Sequence, residues 1–154
     1  MNMKLEERHT LARSREEVWG ALNDPDVLRA AIPGCEQIEL GEDGAYRLAM
    51  KVAVGPVKAR FSGTLSLLNV QAPESYTLLF EGSGGVMGFG KGSVDVRLEE
   101  PAADCTVLGY RAHAQVGGRI AQVGARLVEG VAAKMAAEFF ARFEQQLTSN
   151  DRGA

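Results

Sequence analysis

Apolar and polar residues alternate one by one along most of this chain, and near each end the spacing lengthens to three and four. From Lys4 to Ala12, Leu5, Glu7, His9 and Leu11 share one face and Lys4, Glu6, Arg8 and Thr10 the other, which predicts a strand polar enough for a sheet edge. Ser14-Arg15-Glu16-Glu17 has the form of a capping box, predicting a short helix through Leu22. Asp24 then stands as an N-cap before Pro25 at a first helical position, and a second short helix from Pro25 to Ala31 is ended by Pro33-Gly34.

Between Cys35 and Val116 the alternation returns. It is cut by turn residues at Gly41 to Gly44, Gly55-Pro56, Ala72-Pro73-Glu74, Gly84-Gly85 and Pro101 to Asp104, so six further strands are predicted. Tyr46, Leu48, Met50, Val52 and Val54, then Val57, Ala59, Phe61, Gly63, Leu65 and Leu67, form one apolar parity. Lys58, Arg60, Ser62, Thr64 and Ser66 form the wet one, as in an antiparallel sheet covered on one side. After Gly117-Gly118, Ile120, Val123, Leu127, Val131, Met135, Phe139, Phe143 and Leu147 recur at helical spacing, predicting one long amphipathic helix from Arg119 to Leu147. A curved seven-stranded antiparallel sheet around a long C-terminal helix, with two short helices between strands 1 and 2, is an α+β helix grip. One domain is expected over 1–148 and a flexible tail over 149–154.

The face turned toward that helix is short of side chains. Tyr76, Leu78 and Phe80 lead to Gly82, and Gly88, Gly90 and Gly92 precede Val94, Val96 and Leu98. The helix offers Ala121, Gly124, Ala125, Gly130, Ala132, Ala133, Ala136 and Ala137 among its larger residues, too little volume for a close-packed interior. Either an apolar cavity of small-molecule size lies there, or the glycines bend the sheet and let backbones approach. The expected lining of the cavity is Ile32, Tyr46, Leu48, Met50, Phe61, Phe80, Phe89, Gly90, Tyr110, Ile120, Val123, Leu127, Val131 and Met135.

Composition mainly excludes. The chain has 154 residues, 45% hydrophobic and 24% charged, and its 17 basic against 20 acidic residues give a net charge of -3, which disfavours nucleic acid as a partner. Charges at Lys4, Glu6, Glu7 and Arg8 speak against a signal peptide, and no stretch approaches the roughly 20 apolar residues of a bilayer span, so a cytoplasmic location is expected. Cys35 and Cys105 belong to no metal or disulfide spacing and read as structural. Alternation puts His9 on the inner face, as a candidate polar group at the cavity rim, and His113 among solvated residues. No metal site is expected. Gly88-Phe89-Gly90-Lys91-Gly92 lies inside a strand pattern with no helix after it, so it is not a phosphate cradle. Glu7, Tyr46 and Tyr110 are polar groups on the inner face that are able to do acid-base work, but they identify no reaction, and no catalytic residue is assigned.

Glu17-Val18-Trp19, Leu22-Asn23-Asp24-Pro25, Ile32-Pro33-Gly34-Cys35-Glu36, Gly55-Pro56-Val57, Tyr76, Gly88 to Gly92 and, above all, Gly117-Gly118-Arg119-Ile120-Ala121-Gln122-Val123-Gly124 with Phe139-Phe140 span nearly the whole chain. Together they resemble the CoxG family of carbon monoxide dehydrogenase subunits, which is a branch of the START-like (SRPBCC) helix-grip superfamily. The resemblance implies a hydrophobic pocket and a lipophilic ligand such as a quinone or lipid, with no covalent or metal cofactor. It also implies an accessory role linking a molybdenum-containing carbon monoxide dehydrogenase to the membrane respiratory chain, with peripheral contact at the inner face of the cytoplasmic membrane. Some members continue into a hydrophobic membrane-attaching segment, where this sequence stops at Ala154. Cys105 stands where a glycine before Thr106 is usual. Two other readings compete: a cyclase or dehydratase using Glu7, His9, Tyr46 or Tyr110, and a pure protein-docking module. Exposed edge strands also leave a homodimer open.

Overall fold

The computed structural model describes residues 1–152, with side chains through 148. Strand β1 (Asn2–Leu11) leads into α1 (Arg15–Leu22) and α2 (Pro25–Ala31). Six strands follow, β2 (Cys35–Leu40), β3 (Tyr46–Val54), β4 (Val57–Gln71), β5 (Ser75–Ser83), β6 (Phe89–Ala102) and β7 (Cys105–Gly117). The chain closes with α3 (Arg119–Gln122) and α4 (Ala125–Arg152). The strands form one antiparallel sheet in the order β1-β7-β6-β5-β4-β3-β2, so the first two strands in sequence are its two edges.

Local chemistry sets the helix starts. The Ser14 hydroxyl accepts the Glu17 amide at 3.2 Å, and Glu17 Oε1 returns to that hydroxyl, 3.1 Å away, rather than to the Ser14 amide. Asp24 Oδ1 accepts the Asp26 amide at 2.9 Å, with Pro25 at the first helical position. Removing the first of these caps with Ser14→Ala is expected to cost about 1 kcal/mol. A thermal melt would then show a midpoint lower by about 2–4 °C.

The core lies between the concave face of the sheet and the helices. Leu11, Val18, Leu98, Leu108 and Phe143 are almost fully buried in one cluster, and α4 packs on α2 and crosses β1 and β3. Thr106 is the buried polar residue among them, its hydroxyl donating to the Arg13 carbonyl at 2.8 Å.

The C-terminal helix departs from the single element predicted over Arg119–Leu147. It breaks after Gln122, and Gly124 adopts a left-handed φ of +110° that a residue with a Cβ takes up only under strain. The break resets the helical phase. Val128 turns inward, and Leu127, expected on the inner stripe, is 41% exposed. At the other end α4 runs on to Arg152, through the first residues of the expected tail, and 153–154 lie outside the described residues.

Candidate functional site

Strand register explains where the interior is empty. Across the middle of the sheet, Leu48 of β3 faces Gly63 of β4, Gly63 faces Gly82 of β5, Gly82 faces Gly90 of β6, and Gly90 faces Val116 of β7. Three adjacent strands thus present three glycines in one row. Beneath that row lies a cavity of about 300 Å³, lined by all five of these residues and by Ile32, Met50, Phe61, Phe80, Phe89, Ile120, Val128, Val131 and Met135, among others. A side chain at Gly90 would meet nothing within 4 Å, so at this position the missing side chain is the cavity.

Other glycines serve the competing explanation. A Cβ at Gly92 would strike the His113 carbonyl and approach Phe80 Cζ at 2.8 Å and Ala114 Cα at 2.9 Å. One at Gly63 would strike the Glu81 carbonyl, and Gly88 (φ +131°) is pressed against Gly117 and Ile120. Glycine therefore both bends this sheet and empties the space inside the bend.

A second apolar cavity of about 330 Å³ lies farther along the same face and shares Ile32 and Leu65 with the first. Its floor is the row Leu67, Leu78, Val94, Ala112 and Leu5, and the next row supplies Tyr76, Val96 and Tyr110. From above, Leu28, Ala136, Phe139 and Phe140 cover it. Phe80, one row before that floor and on the wall of the first cavity, stands between the two.

Ten of the residues expected to line the cavity are brought together around the first chamber: Ile32, Leu48, Met50, Phe61, Phe80, Phe89, Gly90, Ile120, Val131 and Met135. Tyr46 and Tyr110 line the second instead, because they lie one to two rows farther along their strands. Val123 falls at the helix break and packs beside the cluster of Val54, Phe61, Val116 and Ile120 without lining either cavity. Leu127 lies over the β3–β4 turn, where its Cδ2 would be 2.7 Å from a Cβ at Gly55. Met3, Val52, Val54, Leu65 and Val116 were legible from parity as further wall residues, whereas Val128 was hidden by the phase shift at Gly124.

Polar groups of the inner face gather at the second chamber. Tyr110 Oη donates to Glu7 Oε2 at 3.0 Å, and His9 Nε2 lies 3.2 Å from the same oxygen. The His9 ring stacks on Phe140 at 3.9 Å, which places it in the seam between β1 and α4 rather than on a cavity wall. Burial raises the Tyr110 phenol well above its ordinary value, and the Glu7 carboxylate beside it raises it further. Tyr46 Oη donates to the Asn23 carbonyl at 3.0 Å, and burial followed by the Asp24 charge shifts its phenol up as well. His113 is exposed on the outer face. Cys35 and Cys105 are both unpaired, and partial burial pushes the Cys35 thiol up, away from a reactive thiolate. Among the described residues no three His, Cys, Asp or Glu side chains converge to hold a metal ion, and no helix is long and apolar enough to cross a membrane.

The phenols give the fold a pH limit. Tyr76 is raised far above 10 by burial and by its neighbour Tyr46, so the folded chain keeps its proton where the unfolded chain loses it. Stability from this group is complete below pH 10 and falls as pH rises toward the folded value, by up to about 1.4 kcal/mol per pH unit. Urea unfolding at pH 8, 10 and 11 should show that decline, and Tyr76→Phe should flatten it.

The fold is shared with solved proteins of several kinds. A conserved protein from Geobacillus kaustophilus is 30% identical over 97% of this chain and 96% of its own, with a TM-score of 0.88. A START superfamily protein from Mycobacterium smegmatis is 12% identical over 95% and 97%, at a TM-score of 0.71. The Zhui aromatase/cyclase from Streptomyces sp. R1128 is 16% identical over 96% and 94%, at 0.68. Among curated proteins, none matches this chain. The model of the CoxG family of carbon monoxide dehydrogenase subunits matches residues 8–148, helix break, glycine row and both chambers included, and the chain belongs to that family.

Proposed function

We propose that this protein is a non-catalytic binder of a hydrophobic small molecule, quinone or lipid-like, that serves a molybdenum-containing carbon monoxide dehydrogenase and connects it with the membrane respiratory chain. The observation that carries the reading is the glycine row, which gives up packing across three adjacent strands and leaves an almost wholly apolar cavity in the middle of the domain. Family membership supports the association with the dehydrogenase. Val86 (81% exposed), Phe89 (43%) and Leu127 (41%) put an apolar rim on the segments around the first chamber, which suits ligand transfer to a membrane or a partner surface. The test is to purify the protein from its native host, extract it with organic solvent and analyse the extract by mass spectrometry beside Gly90→Leu. A stoichiometric quinone or lipid absent from the variant is the expected result, and an empty extract from the folded parent sinks the carrier reading.

One observation favours a second reading, an enzyme of cyclase type. The Glu7–Tyr110 pair, with His9 on the same carboxylate oxygen, places an acid-base group at the wall of the second chamber. That reading predicts turnover on an aromatic or polyketide substrate panel that Glu7→Gln abolishes. The carrier reading predicts none.

A further inference from the structure

Three tyrosines line the second chamber, and two of them have partners: Tyr46 holds the Asn23 carbonyl and Tyr110 the Glu7 carboxylate. Tyr76 is 7% exposed and makes no hydrogen bond with any described residue. Its ring is held edge-on to Trp19 at a centroid distance of 5.4 Å, and Val96 separates it from Tyr110 across the sheet. A buried hydroxyl without a partner carries a desolvation penalty that phenylalanine in the same wall would avoid. Such a group calls for an explanation, and a bound molecule that accepts its proton supplies one.

The surroundings restrict what that molecule is. No charged side chain lines this chamber, so an ionised headgroup would be buried unpaired. Burial keeps the Tyr76 phenol protonated at any physiological pH, which leaves it a hydrogen-bond donor. We propose that Tyr76 anchors a neutral, mostly apolar ligand by donating its hydroxyl proton to a carbonyl oxygen, while Leu28, Leu78, Val94 and Phe139 enclose the apolar body. This assignment rests on the carrier reading and adds the chemical class and orientation of the cargo.

The test uses two molecules of one shape, 2-acetylnaphthalene with a carbonyl and 2-ethylnaphthalene without, titrated calorimetrically into the full chain and into Tyr76→Phe. A neutral hydrogen bond of ordinary strength predicts that the ketone-to-hydrocarbon affinity ratio falls about fivefold in the variant. Hydrocarbon binding stays the same, and the variant melts no lower than the parent. An unchanged ratio overturns the anchor and leaves the carrier reading standing. So does a lower melting temperature, which would show that the hydroxyl has a structural partner. If the parent binds neither naphthalene, the carrier reading falls together with the anchor.

Discussion

Gly92→Ala is expected to melt about 6–12 °C below the parent, while Gly90→Ala, two residues away on the same face of the same strand, melts at the parent temperature or slightly above it. The two positions look alike in sequence, but their surroundings are opposite. A methyl group at Gly92 would strike the His113 carbonyl on the neighbouring strand and crowd Ala114 Cα at 2.9 Å. Backbone cannot swing aside as a flexible side chain can, so β6 and β7 would have to move apart at the bend, at a cost of about 3 kcal/mol. At Gly90 the methyl enters open space and meets nothing within 4 Å. There the substitution only reduces the freedom of the unfolded chain, a gain of about 0.4–1 kcal/mol. Paired thermal melts decide the matter. Equal losses at both positions would mean that the glycine row is a bend throughout and that the cavity is an accident of it.

This contrast also marks how far the sequence could be read. Period-two alternation assigned nearly every strand residue to its face, because one side of the sheet is covered and the other wet; Tyr46 to Val54 and Val57 to Leu67 pair as the pattern requires. The cap at Ser14 and the proline start at Pro25 are local chemistry and were equally legible. What depends on neighbours distant in sequence was not. Gly90 and Gly92 differ through strand β7, which no local pattern describes. Leu127 and Val128 exchange places because of one backbone angle at Gly124, and a glycine among many alanines does not advertise a break. The Glu7–Tyr110 hydrogen bond joins opposite ends of the chain through the β1–β7 register, so each residue could be placed on the inner face but the pair could not be named. Tyr76 had the parity of a wall residue, yet its importance lies in the partner it lacks, and a missing partner becomes visible only when the other side chains are in place.

Filling the first chamber should separate binding from folding more sharply than any other change. Gly90→Leu places an isobutyl group in the space beneath the glycine row, against Val116 and Phe89, where nothing now stands. Filling an apolar void generally stabilises a protein, so the variant is expected to melt no lower than its parent. Ligand loses what the side chain gains. The two chambers share Ile32 and Leu65, and a long molecule lying across both would be displaced from one of them. All-trans-retinol, neutral and elongated, provides that length, and its fluorescence in a titration reports on binding. Its affinity is expected to fall at least about tenfold in Gly90→Leu, equivalent to losing contacts worth ~1.4 kcal/mol or more. The compact 2-ethylnaphthalene needs only the second chamber and should bind as before. Retinol binding that survives Gly90→Leu unchanged would place the ligand wholly beside Tyr76 and Tyr110, with the glycine row left to shape the sheet alone.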